Sequence, residues 1–297
     1  MPGERLIDLH VHSAYSSDGQ YAPAELIALA AEAGLAAVAL TDHDEVGGLP
    51  AFLAAGGAGG VEAIAGVELT CDWGERWVHI LGYFIAGGAP AIREAIAAGT
   101  RARLAQLEGR LARLRDLGVA VDRAKLDDLA RGQPPVGPII GMVVLNDAAN
   151  ADHPLLEPFR RPPFAAMPYF YFDREMLAHG KPAYYPVTRM SPAEAAAAIR
   201  AAGGVAVFAH PGDRFRLPDD APLFERLRAD GIEGLECWCS YHTPEQEETF
   251  AALARRLGLV ATAGSDFHGP RVKPHVQLGG IRHHPYSIVA ELKARRG

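Results

Sequence analysis

Cysteine is scarce: Cys71, Cys237 and Cys239 are the only three in 297 residues. An odd number with a single Cys-x-Cys pair gives neither a disulfide framework nor a zinc-ribbon spacing, so small, reduced packing residues are expected. Lysine is also rare, with Lys125, Lys181, Lys273 and Lys293 the full set. No apolar run approaches the ~20 residues needed to cross a bilayer, and no charged-then-apolar leader opens the chain. A cytoplasmic protein without a membrane partner is therefore expected. Positive charge is in deficit, at a net −7. That argues against a broad nucleic-acid or membrane-binding surface, though not against a small basic pocket for phosphate. Internal repeats and low-complexity linkers are absent, so the chain reads as one large domain or one domain with an appendage.

What the chain does contain is a set of short apolar runs that end in histidine or a carboxylate. Leu9 and Val11 alternate with His10 and His12, so in a strand over 6–12 both imidazoles share a face. Alone, the pair fits a solvated strand end as well as a metal site. Further strands are expected over 35–41, 63–69, 77–84, 205–209, 232–238 and 259–263, with helices between them. Ser191-Pro192-Ala193-Glu194 and Thr243-Pro244-Glu245-Gln246 are capping boxes that open two of those helices. Ile92, Ile96, Leu104, Leu107, Leu111, Leu114 and Leu117 mark one face of a long helix that Gly118 closes. Over 119–190 prolines become frequent and aromatics cluster at Tyr169–Phe172, which reads as an inserted cap or lid. Its aromatic run suits either the cap's own core or a surface for stacking a base.

Set against those strands, the ligand-capable residues share a position. His10, His12, His43, Glu68, His210, Asp266 and His268 fall at or just past strand ends, and His79 lies within a strand. In α/β sheets and barrels such ends share the face where active sites are built. A carboxylate ending the apolar strand of Glu68 would be costly without a partner, and a cation is a natural one. His79 also fits a hydrogen-bonded core residue, and Asp18-Gly19 is a common turn pair. Asp42 and Asp44 read as turn or supporting residues. His153, His179, His275, His283 and His284 lie in polar or proline-rich stretches and are expected in loops or on the surface.

Asp8-Leu9-His10-Val11-His12, Thr41-Asp42-His43-Asp44, Gly66-Val67-Glu68, His79, Ala209-His210-Pro211 and Gly264-Ser265-Asp266-Phe267-His268-Gly269 resemble, in that order, the motifs of the polymerase-and-histidinol-phosphatase (PHP) superfamily. The surroundings of Glu68 and His79 are similar to its stand-alone phosphoesterases acting on nucleotides or RNA ends. The resemblance implies a distorted (β/α)7 TIM-like barrel formed by 1–118 and 191–297, with 119–190 inserted. It implies two or three divalent ions (Mn, Zn or Fe). By position, His10, His12, Glu68 and Asp266 would hold one. Glu68 would bridge to a second, held by His79 and His210, and Asp18, His43 and His268 match a third set. Many relatives carry Gly-Arg-Pro-His after the long helix. Here the comparable place reads Pro135-Val136-Gly137-Pro138-Ile139-Ile140-Gly141.

The activity so implied is hydrolysis of a small phosphate ester, of a nucleotide or a short RNA end, by a hydroxide activated between two cations. His43 and His268 would assist the leaving oxygen, and His242 is a candidate proton donor that reads equally as a loop residue. Arg214, Arg160 and Arg161 are candidates to grip a second phosphate. Two alternatives stand beside this reading: an amidohydrolase-like enzyme that cleaves C–N bonds, and a catalytically silent metal-binding regulatory module. A lysine on a barrel strand bridges the metals in many amidohydrolases, and none of the four lysines falls on an expected strand.

Overall fold

The computed structural model describes residues 6–281 and 284–296. His283 lies outside the described residues. Apolar six-residue runs form β1 (Leu6–Val11) and β2 (Leu35–Leu40), joined through α1 (Pro23–Glu32). Leu26, Ile27 and Ala30 of α1 turn to the sheet. After α2 (Leu49–Gly59) come β3 (Glu62–Trp73) and β4 (Arg76–Tyr83). Beyond the long α3 (Pro90–Asp116) lie α4 (Arg123–Ala130), α5 (Gly137–Leu145), several short 3-10 turns and α6 (Pro168–Phe172). The chain then resumes with α7 (Pro192–Ala201), β5 (Val205–Phe208), α8 (Ala221–Phe224), β6 (Gly234–Trp238), α9 (Pro244–Leu257), β7 (Val260–Ala263) and α10 (Ser287–Ala294). Both capping boxes form. Ser191 Oγ accepts from Glu194 N–H while Glu194 accepts from Ser191 N–H, and Thr243 and Gln246 reciprocate in the same way.

The seven strands make one sheet in the order β1-β2-β3-β4-β5-β6-β7, the strand order of a distorted α/β barrel. Beyond β7, Val11 and Phe267 form a parallel bridge that brings the first and last strands together. One strand differs from an all-parallel expectation: β4 runs antiparallel to both β3 and β5. The cause is local, because β3 and β4 are joined only by Gly74 and Glu75. So short a link joins antiparallel strands but not parallel ones. β3 also runs on past Glu68 to Trp73, so Glu68 lies within the strand rather than at its end.

Most of the apolar core packs around this sheet, with Leu26, Phe52, Ile80, Ile199, Phe208 and Phe250 among its buried members. A second core joins Leu107, Leu111 and Leu114 of α3 to Leu126, Ile140, Val144, Phe159 and Phe172. α3 therefore serves two cores along its length, and its apolar face is not a single stripe. Leu104, read as part of that stripe, is exposed, while Gln106 and Arg110 are buried. Among the described residues no helix is long and apolar enough to span a membrane.

Candidate metal centre

Alternation in β1 sends His10 and His12 inward together, both fully buried. Each has its outer nitrogen occupied by the protein. His10 Nδ1 lies 3.0 Å from Glu236 Oε1, and His12 Nδ1 lies 3.2 Å from Ser16 Oγ. Ser16 in turn donates to Asp42, which also accepts from the Ser13 N–H and hydroxyl. With Nδ1–H engaged, each imidazole in its neutral form directs its Nε2 lone pair inward, the arrangement a metal-ligating histidine needs.

Those nitrogens face carboxylates that have no hydrogen to give. His10 Nε2 is 3.3 Å from Glu68 Oε1 and 3.5 Å from Asp266 Oδ1. His12 Nε2 is 3.3 Å from Glu68 Oε2 and 3.2 Å from Asp266 Oδ1. None of these is a formed hydrogen bond: His10 Nε2, His12 Nε2, Glu68 Oε2, Asp266 Oδ1 and Asp18 Oδ1 are all buried without a partner. Five orphaned ligand atoms in one place would be costly unless a cation met them. Four overlapping donor groups have their atoms within 4.8 Å: His10-His12-Asp266, His10-Glu68-His210, His43-Glu68-His79 and His12-His43-His268.

Glu68 is the hub. His79 Nδ1 lies 2.6 Å from its Oε1, His210 Nε2 3.1 Å from the same oxygen, and His43 Nδ1 2.7 Å from Oε2. Burial pushes the Glu68 pKa up, but the imidazoles of His79, His43 and His10 outweigh it and hold the carboxyl well below its usual range. Asp266 is held low in the same way, against its burial, chiefly by Lys273 and His10. Burial keeps His12 well below the ordinary histidine value and takes His79 down to about 4. For His10 burial is overcome by Glu236 and Glu68, which raise it. Asp18 Oδ2 sits 3.3 Å from His268 Nε2 and 3.9 Å from His43 Nε2. His210 and Asp266 adopt left-handed backbone angles, φ 24° and 56°. Such strain persists where surroundings over-determine it, often at functional sites.

All nine metal-ligand candidates thus come together, and a cavity of about 110 Å³ opens beside them. Its lining also includes Arg103, Arg110, Arg189 and Arg214. Arg110 Nε has no partner although buried, and burial brings the Arg110 and Arg214 pKa values to about 10. Arg214 stacks 3.5 Å over the Trp77 ring. The other arginines singled out from sequence lie outside the cavity lining. Arg160 donates to the Asn150 carbonyl, and the exposed Arg161 pairs with Glu157. His242 is also placed differently: Nδ1 donates to the Cys237 carbonyl and Nε2 accepts from Gly212 N–H, at 2.7 and 2.8 Å. In that state it has no free proton facing the cavity. His284, expected in a loop or on the surface, lies in a loop but is buried against Trp238 with ring centroids 4.5 Å apart.

Sequence reasoning missed Glu236, which accepts from His210 N–H (2.7 Å) as well as serving His10. A carboxylate inside the apolar strand Gly234–Trp238 is the same signal that marked Glu68. It also missed Asp8, whose carboxylate fixes the Ser265 and Gly279 backbones, and Lys273, whose ammonium pairs with Asp266 Oδ2. Lys273 has no local signal in the sequence.

A buried, multi-histidine carboxylate cluster at one mouth of a seven-stranded α/β sheet defines a metal-dependent hydrolase. The PHP domain model matches residues 8–146. The chain is 36% identical over 270 residues to a 3′,5′-nucleoside bisphosphate phosphatase of Chromobacterium violaceum, covering 89% of this chain and 87% of that one. It is 31% identical to the phosphoribosyl 1,2-cyclic phosphate 1,2-diphosphodiesterase of Eggerthella lenta, over 91% and 97% of the two chains. Among solved structures, a Bifidobacterium adolescentis protein provisionally named a metal-dependent phosphoesterase superposes with a TM-score of 0.79 at 26% identity, over 100% and 98%. A Chromobacterium violaceum protein named an amidohydrolase, with sulfate bound and no metal, gives 0.67 at 33% identity over 96% of each chain. The chain belongs to the PHP family and is a hydrolase of its metal-dependent phosphoesterase class.

Proposed function

We propose that the chain hydrolyses a nucleotide-type phosphate ester that carries a second phosphate. The observation supporting this reading is the pairing, across one small cavity, of orphaned metal-ligand atoms with the half-partnered guanidinium of Arg110 and the stacked guanidinium of Arg214. His10, His12, Glu68 and Asp266 would hold one cation. Glu68 would share a second with His79 and His210, and Asp18, His43 and His268 would hold a third.

Divalent ions held there would supply Lewis acidity and lower the pKa of a bound water. The chain's own residues do the rest. Glu236 and Ser16 fix the tautomers of His10 and His12, so the donor atoms stay aimed inward. His43 and His268, whose Nε2 atoms both approach Asp18, would assist departure of the leaving oxygen. Arg110 and Arg214 orient the second phosphate, with Arg214 rigidified by Trp77. Phe170, stacked on Tyr241 at 5.3 Å, narrows the cavity against water.

A manganese-supplemented assay tests this against nucleoside 3′,5′-bisphosphates, cyclic phosphates, nucleoside monophosphates, histidinol phosphate, short RNAs and an amide panel. The bisphosphate is expected to be turned over with the highest kcat/KM, and Arg110→Met is expected to raise KM for it by ~10-fold or more, the scale of a lost charged hydrogen bond. Preference for an amide would overturn the reading in favour of the C–N alternative. That alternative gains little from the lysines: among the described residues Lys273 is the lysine that lines the cavity, and it is paired with Asp266.

A further inference from the structure

Asp18 sits in a loop of turns between β1 and α1 whose peptide carbonyls are collected by side chains from far along the chain. Arg131 Nη2 lies 3.2 Å from the Ala14 carbonyl, 3.0 Å from that of Ser16 and 2.7 Å from that of Gly19. Arg271 Nη2 reaches the carbonyls of Ser17 and Gly19 at 3.4 and 3.3 Å. The backbone N–H of Val136 donates to Ser17 Oγ at 3.2 Å. The residues on either side of Asp18 are thus held by the segment after α4 and by the segment after β7. This is the stretch of the chain just before the place where the Gly-Arg-Pro-His element is missing.

The backbone of Arg131 carries a second clue. It ends α4 in the left-handed region, φ 51°, and Gly132 follows at φ 79°. Glycine takes that cap conformation without strain, whereas a side chain does not. The strained residue here is the one whose guanidinium spans three carbonyls. All three contacts come from the one nitrogen Nη2, whose two N–H groups are shared among the three carbonyls. Placing a second guanidinium beside the first opposes assembly: Arg271 is depressed by burial and then by Arg131. The loop carbonyls compensate both.

We propose that Arg131, seconded by Arg271, is a positioning residue of the metal centre, latching the Asp18 loop so that the Asp18 carboxylate faces His268 and His43. The latch makes the segment between α3 and α7 part of the cation site as well as a wall of the substrate cavity. The proposal rests on the reading that Asp18, His43 and His268 hold a cation.

Arg131→Gly provides the test, because it relieves the backbone strain while removing the guanidinium. The metal-free protein would be titrated with Mn²⁺ alone by calorimetry, its metal content measured after gel filtration, and its melting followed without metal. Arg131→Gly is expected to melt no lower than wild type, yet to bind one class of Mn²⁺ at least 10-fold more weakly. Amide exchange at residues 16–19 should quicken, and Arg131→Lys should recover part of the affinity. Asp18→Asn should weaken the same class of sites, and the double variant should be no weaker than Asp18→Asn alone. Mn²⁺ binding by Arg131→Gly equal to wild type, with Asp18→Asn impaired, would overturn the latch. A lowered melting temperature in the metal-free variant would overturn it too, marking Arg131 as a general staple. Unchanged Mn²⁺ binding by Asp18→Asn would instead sink the reading of Asp18 as a ligand.

Discussion

Glu236 touches no candidate cation position, yet two donors depend on it: His10 through Nδ1 and His210 through its backbone N–H. Removing the carboxylate frees the His10 ring to adopt the wrong tautomer and leaves a buried N–H unpaired. Glu236→Ala is expected to weaken Mn²⁺ binding ~10- to 100-fold, the usual range for losing a partner that orients a ligand, as read by calorimetric titration. The metal-free chain should also lose ~1–3 kcal/mol of stability for each buried group stranded. Protons give a second test. In the metal-free chain His10 is raised by Glu236 and Glu68 over its burial, and His43 is raised by Glu68 over its own. His12 and His79 are lowered by burial and are already neutral at pH 7. Ligation needs neutral imidazoles, so Mn²⁺ uptake at pH 7 should expel protons from His10 and His43, and affinity should climb with pH until they are gone. Titrations in two buffers of unlike ionisation enthalpy should show release of about one to two protons per chain. An exchange of none would mean both imidazoles are already neutral.

At the scale of elements, strand and helix starts were legible because their causes are local. The His10-Val11-His12 alternation, the proline-led helices and the two capping boxes each rest on neighbours within four residues. The Ser191 box joins α7 to the sheet core through Ala195, Ala196 and Ile199. Ser191→Ala is expected to lower stability by ~1 kcal/mol, the worth of an N-cap, in denaturant melts. It should leave Mn²⁺ affinity unchanged, since α7 contributes no donor. The antiparallel β4 and the split α3 were less legible. A strand's direction is set by the length of its connection, and the face of α3 changes partner between Ala95, which packs on the sheet core, and Leu107, which packs on the second. The hairpin matters to the site. Because β4 enters from the opposite direction, His79 in its first half arrives opposite Thr70 and within reach of Glu68. Glu236 carried a local signal, a carboxylate within an apolar strand, but its partner His10 lies 226 residues away; Lys273, seven residues from Asp266, carried none, and only the fold pairs either of them.

Across the whole molecule, the donor set draws on β1, β3 and β4 and on the segments after β1, β2, β5 and β7. A cation bound by it ties together strands far apart in sequence, and no unfolded chain presents those donors at once. Mn²⁺ should therefore stabilise the native state alone, by ~2.7 kcal/mol at a hundredfold excess over the dissociation constant. For a chain of 297 residues that is a rise of about 4 °C in melting temperature, at an unfolding entropy of ~2.1 cal/mol/K per residue. EDTA should reverse it. Glu68→Ala separates the cation's contribution from that of the protein's own ion pairs. In the metal-free state the variant loses the anion that five imidazoles approach, so its basal melting temperature should drop. The Mn²⁺-dependent rise should nearly vanish, because Glu68 belongs to two of the four donor groups, and metal-dependent turnover should go with it. Thermal scans of both proteins with Mn²⁺ and with EDTA measure these effects separately. A Glu68→Ala chain that still gained several degrees from Mn²⁺ would show the cations bound somewhere other than this cluster.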